Sequence, residues 1–379
     1  MAIKINIIFV FYQKKMFVSD IIKIIEDWAP IEYSEDFDNV GLLTGDPNSN
    51  CTGVLITLDT IELIVDEAIK KKCNLIVSFH PIIFSSLKKI SKSDYVQKTI
   101  YKAIQNNISI YAIHTSLDNH KYGVNYKIAE KLNLINTQIL LPKNDTLRKL
   151  IVNVPESNEN DLLKALHNAG AGILGNYENC SFSIEGKGTF KGNELSKPNI
   201  GDPQKKTSIV EKQIQLVFQK HLESKILKTL FKNHPYESVA YDILNLSNLN
   251  PDIGMGIFGS LKKSINENDF IELLKKTFKT PLIRHSKLLG KPIKKVALLG
   301  GSGSFAINAA IKKQADIFLT SDLKYHNFFM AENKIVLMDI GHYESEQYTK
   351  NLIFDFLKEK LSSFAVVLSS INTNPVNYS

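Results

Sequence analysis

The sequence predicts an α/β protein, a split domain with a mostly parallel sheet plus an inserted ferredoxin-like α+β domain. Three observations predict it. Short apolar runs alternate with amphipathic stretches from residue 16 to 142; the rhythm changes to βαβ, βαβ between 143 and 251; and the first style returns from 252 to 379. The strands of the closing segment are of the parallel type and need neighbours, which the opening segment supplies. The two ends are therefore expected to form a single sheet around the insertion.

In order along the chain, Ser19 can cap a helix through Ile21, Ile22, Ile24 and Ile25 to Trp28, and Pro30 stops it. A strand over 53–58, a helix over 60–72, a strand over 74–79, a helix over 94–105 and a strand over 108–113 follow. In the middle, 149–154 reads as a strand, 158–169 as a helix, 180–190 as Gly-punctuated β structure, 209–218 as a strand, 222–232 as a helix and 238–244 as the closing strand. Beyond Met255 the pattern gives a strand over 294–299, a helix over 305–313, strands over 316–319 and 334–339, and a helix over 345–361. Residues 1–15 stand apart as an N-terminal extension. Their apolar run Ile5 to Tyr12 lacks a small-residue cleavage site and runs straight into lysines, so an extra strand or extended start is expected, and export is not.

Composition narrows the function. With 379 residues, 44% hydrophobic and 22% charged, the chain can bury more than one core. The net charge of +7 is scattered as single lysines with no basic stripe interleaved with aromatics, which argues against a nucleic-acid partner. Cys51, Cys73 and Cys180 show neither CxxC spacing nor a pairing pattern, so a reducing, cytoplasmic location is expected, and no stretch is apolar enough to suggest a membrane partner.

Three clusters carry chemistry. In LIVSFHPIIF, His80 follows an apolar strand that Pro81 ends; in AIHTSLDNH, a strand runs out into His114 and Asp118; in LMDIGHYESE, Gly341 releases a strand just before His342 and Glu346. A helix starting at that point would put His342 and Glu346, four apart, on one face. Each cluster lies just past the carboxyl end of a predicted parallel strand, where open α/β sheets place ligands. Two imidazoles and two carboxylates, His80, His342, Asp118 and Glu346, make a mixed nitrogen and oxygen site suited to a divalent metal such as zinc, iron or manganese, one or two ions per subunit. His120 and His167 have no such setting and are expected at the surface.

A rival signal sits in VALLGGSGSFAINAA, where Gly301, Gly303 and Ala306 form GxGxxA between a strand and a helix, with Asp322 near the end of the next strand. Read alone it is a dinucleotide-binding turn. The same glycines equally suit an anion-binding or purely structural turn.

Together these segments resemble the NIF-three-like family, whose members carry the name GTP cyclohydrolase 1 type 2 homologue. The resemblance runs through VSDIIKIIEDWAP, EDFDNVGLLTGDP, LIVSFHPIIFSSLKKI, AIHTSLDNHKYGVN, NHPYESVAYDI, GMGIFGSL, VALLGGSGS, LTSDLKYHNFF, DIGHYESE and NTNPVNY, from Met16 onward. It implies a dinuclear metal centre, a split α/β domain, an inserted domain like those of small trimeric signalling proteins, and a toroidal homohexamer. The family's ligand pattern, a His-His-Pro pair, an Asp in HTxxD and a His and Glu in GHxxSE, falls on Phe79 and His80, Asp118, His342 and Glu346. Phe79 departs from it, because a phenyl ring cannot ligate metal, and the second ion is in question. Ser321 replaces a glycine usual in TGDLKYH. His114 is the candidate catalytic residue, as general acid/base, orienting partner or substitute for the ligand missing at Phe79; capping its loop is the plain alternative. His326 can face the same crevice.

The expectation is thus a metal-dependent hydrolase acting on an unidentified small molecule or nucleotide. The alternatives are a non-enzymatic metal-binding regulator or scaffold, and a dinucleotide-binding protein using the GGSGSFA turn.

Overall fold

The computed structural model describes residues 15–379, so the expectation for the N-terminal extension lies outside the described residues. Its first strands and helices are α1 (Val18–Trp28), β1 (Gly41–Thr44), β2 (Val54–Thr57), α2 (Glu62–Lys71), β3 (Leu75–Ser78), α3 (Tyr95–Gln105), β4 (Ser109–Ala112), α4 (His114–Asp118), α5 (Val124–Lys131) and β5 (Ile135–Pro142). Next come β6 (Leu147–Pro155), α6 (Glu159–Ala169), β7 (Phe182–Lys191), β8 (Lys206–Gln219), α7 (Glu223–Asn233) and β9 (Tyr241–Leu246). The chain closes with β10 (Gly254–Ile265), α8 (Glu267–Phe278), β11 (Arg284–His285), β12 (Ile293–Ser302), α9 (Ile307–Lys312), β13 (Ile317–Ser321), β14 (Val336–Asp339), α10 (His342–Glu346), α11 (Thr349–Lys360) and β15 (Val366–Leu368).

The chain divides into two compact units. One comprises residues up to 118, 122–137 and 258–379, the other 119–121 and 138–257. In the first unit, β2, β3 and β4 are fully buried four-residue strands that pair in parallel, as apolar runs do when both faces are covered. β12, β13 and β14 also pair in parallel. These two parallel sets do not share a sheet, contrary to the single sheet expected from the sequence: the orders are β1-β4-β3-β2-β15 and β11-β14-β13-β12-β10-β5. The reason lies in strands the sequence pattern left unassigned. Antiparallel β1 occupies the free edge of β4 and antiparallel β11 that of β14, while β15 takes β2 and β10 takes β12. The chain ends still interlock, since β15 from the C-terminal segment completes the N-terminal sheet.

Two helix boundaries also moved. α1 begins at Val18, with Phe17 rather than Ser19 at the cap and the Asp20 carboxylate accepting from the Phe17 amide at 2.8 Å. The amides of Val18 and Ser19 donate to the carbonyls of Ser49 and Pro47, which fixes the entry of the helix two residues earlier. The helix expected over 345–361 is two helices, because Gln347 and Tyr348 send their side chains to the carbonyls of Phe278 and Thr277 at 2.7 and 2.6 Å and turn the chain between them.

In the second unit, β6 to β9 form an antiparallel sheet in the order β7-β8-β6-β9. Leu150, Val152 and Val154 alternate inward on β6 and meet Leu162 and Leu166 of α6 and Ile226 and Leu230 of α7. Two histidines expected at the surface are partly buried. His120 bridges to Ile253, and burial pushes its imidazole down to about 4; His167 is half-buried on α6 and lowered for the same reason. Among the described residues no helix is long and apolar enough to cross a membrane.

Candidate metal centre

The site forms in the first unit where the strands run out. The ladder continues past β3 through the amides of Phe79 and His80, which donate to the carbonyls of Thr57 and Leu58, until Pro81 ends it. His80 is thereby fixed at the carboxyl end of its strand. Beyond β14, Gly341 takes φ +92, a left-handed conformation where a Cβ would stand 2.2 Å from Glu344, and the five-residue α10 opens on His342 and ends on Glu346.

His80, His342 and Glu346 each offer one ligand atom, all within 4.8 Å of one another. Nε2 of His80 and Nε2 of His342 lie 3.0 and 3.1 Å from the same carboxylate oxygen, Glu346 Oε2. Yet His80 Nε2 and Glu346 Oε2 are buried and have no hydrogen-bond partner of proper geometry. The atoms converge on a common point more than they bond to each other, as ligands of one ion do. This donor set fits a divalent metal.

What holds the rings was not expected from the sequence. His80 Nδ1 meets Asp59 Oδ1 at 2.7 Å, and His342 Nδ1 meets Asp322 Oδ2 at 2.6 Å. An ionised carboxylate only accepts, so each Nδ1 carries the proton and each Nε2 presents its lone pair inward when the ring is neutral. Each Asp is held in turn by a hydroxyl: Thr373 donates to Asp59 at 2.5 Å, and Ser302 donates to Asp322.

Electrostatics follow the geometry. Burial alone would lower the His80 imidazole, but Glu346 and Asp59 outweigh it and hold it at about 10. His342 reaches about 11 against the same burial, through Asp322 and Glu346. Glu346 is only 3% exposed; burial would raise its carboxyl, and the two imidazoles drive it well below the usual range instead. The surrounding carboxylates thus favour positive charge on the two imidazoles.

Asp118, the fourth expected ligand, is not within the cluster of three. Its Oδ1 is buried without a hydrogen-bond partner, and burial, then the Glu346 charge, raise its carboxyl well above the ordinary value. His114, the expected catalytic residue, opens α4 with its ring 5.3 Å from that of His80, and its Nδ1 meets Asp38 Oδ1 at 2.8 Å. Phe79 is fully buried and packs on both rings, 4.8 Å from His80 and 5.4 Å from His114. His326 is exposed, edge-on to Tyr325 and tilted against Phe329.

The Gly-rich turn serves this pocket. Gly301 lies at φ +67, and a Cβ there would stand 2.4 Å from Glu346 Oε1. The amides of Gly300 and Gly301 donate to Asn125 Oδ1 and Ser345 Oγ at 2.9 and 3.0 Å, so they are not open to a pyrophosphate. Asp322, which the dinucleotide reading sends to a ribose, instead orients His342. The signal that was available for Asp59 and Asp322 is their place just beyond β2 and β13; nothing local marks Asp38 or Thr373.

The Duf34/NIF3 (NGG1p interacting factor 3) family model matches residues 16–375. The chain is 36% identical to the GTP cyclohydrolase 1 type 2 homolog of Bacillus subtilis over 367 residues, covering 94% of this chain and 97% of the relative. It is likewise 36% identical to that of Halalkalibacterium halodurans, covering 94% and 98%. A crystal structure of a Bacillus cereus protein related to NIF3 superposes with a TM-score of 0.84 at 34% identity, covering 97% of this chain and all of that one.

Proposed function

The chain belongs to the Duf34/NIF3 family, and from that premise we propose that it is a metal-dependent hydrolase whose ligands include His80, His342, Glu346 and Asp118. The single observation carrying this reading is the convergence of three donor atoms, those of His80 and Glu346 buried, with the second ring nitrogens of His80 and His342 already held by Asp59 and Asp322. Zinc, iron or manganese suits two imidazoles and carboxylates. A bound ion of this kind supplies hydroxide near neutral pH and polarises the bond it attacks. Asp59 and Asp322 orient the imidazoles; the buried surroundings of Glu346 keep water from competing for it.

The relatives' name points to a purine nucleoside triphosphate as a first substrate to try. The finer architecture belongs to the same proposal. The βαββαβ order of the second unit and its sheet order β7-β8-β6-β9 support an inserted ferredoxin-like domain over 143–251. β7, exposed along nearly its whole length at the sheet edge, supports self-association, which we take to be the homohexamer. A cytoplasmic location accords with three free cysteines.

The test is elemental analysis of protein purified without chelator or affinity metal, followed by turnover assays with GTP, other nucleotides and phosphoesters in the metal found. Bound metal with turnover is expected. Bound metal without turnover across the panel would favour a metal-binding scaffold, and absence of metal under every loading condition would remove the site.

A further inference from the structure

The three converging donors come from two sheets. His80 lies past β3 in the sheet β1-β4-β3-β2-β15, whereas His342 and Glu346 lie past β14 in the sheet β11-β14-β13-β12-β10-β5. Their convergence therefore depends on what holds the two sheet ends at a fixed separation. One pair of neighbouring residues reaches both. Thr373 donates its hydroxyl to Asp59 Oδ2 at 2.5 Å, and Asp59 Oδ1 holds Nδ1 of His80. Asn374 donates from Nδ2 to Glu344 Oε1 at 3.1 Å, and Glu344 stands buried midway along α10, between His342 and Glu346.

The segment carrying this pair is anchored on either side of it. Just beyond β15 the hydroxyls of Ser369 and Ser370 donate to the two carboxylate oxygens of Glu67 on α2, at 2.5 and 2.9 Å. Further on, the Tyr378 hydroxyl hydrogen-bonds Glu344 beside Gly341. Among the described residues no strand or helix follows β15, so side chains hold this segment in place of a ladder. Ile371 packs on the apolar cluster of α2 and α3, which is what covering a core requires. Thr373 and Asn374 instead direct polar groups at the carboxylates that flank the donors.

We propose that Thr373 and Asn374 are positioning residues of the metal centre, a clasp that ties the His80 side to α10 and sets the reach of the three donors. This rests on the metal-site reading above and deepens it. The clasp and the ion act on the same separation, so each favours the other, and the coupling is reciprocal.

The experiment measures zinc affinity of the full chain by competition with a chromophoric chelator, for wild type, Thr373→Val, Thr373→Ser, Asn374→Ala and Ser370→Ala. Thr373→Val keeps the shape but loses the hydroxyl and should weaken zinc binding about 10-fold, and Thr373→Ser should restore it. Asn374→Ala should weaken it by a smaller factor. Ser370→Ala, which loosens the same segment away from the donors, should bind zinc as wild type does. Saturating zinc should slow amide hydrogen exchange across 371–379 in wild type and not in Thr373→Val. Wild-type affinity in both Thr373→Val and Asn374→Ala, or an equal loss in Ser370→Ala, overturns the inference and leaves the triad standing. A wild type that takes up no zinc sinks the metal-site reading and the clasp with it.

Discussion

Both units bury histidine at least in part, and they treat it in opposite ways. In the second unit His234 is 7% exposed, its Nε2 donates to the Asn153 carbonyl at 2.9 Å, and its Nδ1 accepts from the Tyr236 amide at 3.1 Å. Both nitrogens are satisfied by backbone, and burial lowers its pKa, so the ring sits neutral as a structural piece. In the first unit His80 and His342 have one nitrogen satisfied by a carboxylate and the other aimed at a shared oxygen without hydrogen-bond geometry. Their pKa values rise. Burial alone does not distinguish a candidate ligand from a core histidine; the fate of the second nitrogen does.

The largest effect should come from cutting the converging set. His342→Ala or Glu346→Ala should strip the bound metal while circular dichroism and the elution volume stay those of wild type, because both side chains belong to the short helix α10 beyond β14 and not to the apolar core. Full metal occupancy in both variants would reverse the assignment of the two regions.

A smaller effect of a different kind is expected in the second unit. His234→Ala leaves the Asn153 carbonyl and the Tyr236 amide without partners in a buried place and should destabilise by about 1–3 kcal/mol in denaturant unfolding. Its metal content should not change. Loss of metal on this substitution would show that the two kinds of histidine are not separable as argued.

The subtlest difference is the sign of the pH response in metal-free protein. For His80 and His342 the folded pKa is raised above 6.5, so their contribution is full below pH 6.5 and drains away as pH rises through about 10 and about 11. For His234 the folded pKa is lowered, so it costs stability as pH falls below 6.5 toward its depressed value. Acidification should therefore shrink the margin by which wild type exceeds His234→Gln, whereas alkaline pH should shrink its margin over His342→Gln. Margins that move in the same direction with pH would contradict the comparison. Metal retention should improve from acid toward neutral pH, since each ion displaces protons from the imidazoles.

Much of this was legible along the chain. His80, His342 and Glu346 could be picked out as candidates because each follows an apolar strand broken by Pro81 or Gly341, and strand ends are where parallel sheets expose side chains. The i,i+4 spacing of His342 and Glu346 required only that a helix start at that point, which it does. The Gly301 turn was visible as a turn but not for its purpose. A GxGxxA pattern records that backbone must come close to something, and only the fold reveals that the something is Glu346 Oε1.

The sequence by itself determined the alternation of strands and helices, the change of rhythm in the middle, and the residue types able to ligate metal, because hydrophobic period and chemical identity are local properties. Tertiary structure alone decided that the parallel strands divide into two sheets, since edge pairing by β1, β11, β10 and β15 joins residues far apart in the chain. It also decided which carboxylates stand behind the imidazoles. Asp38 and His114 are 76 residues apart, and Thr373 reaches Asp59 across 314. A hydrogen bond over that separation leaves no spacing to read; it exists only once packing has fixed both ends.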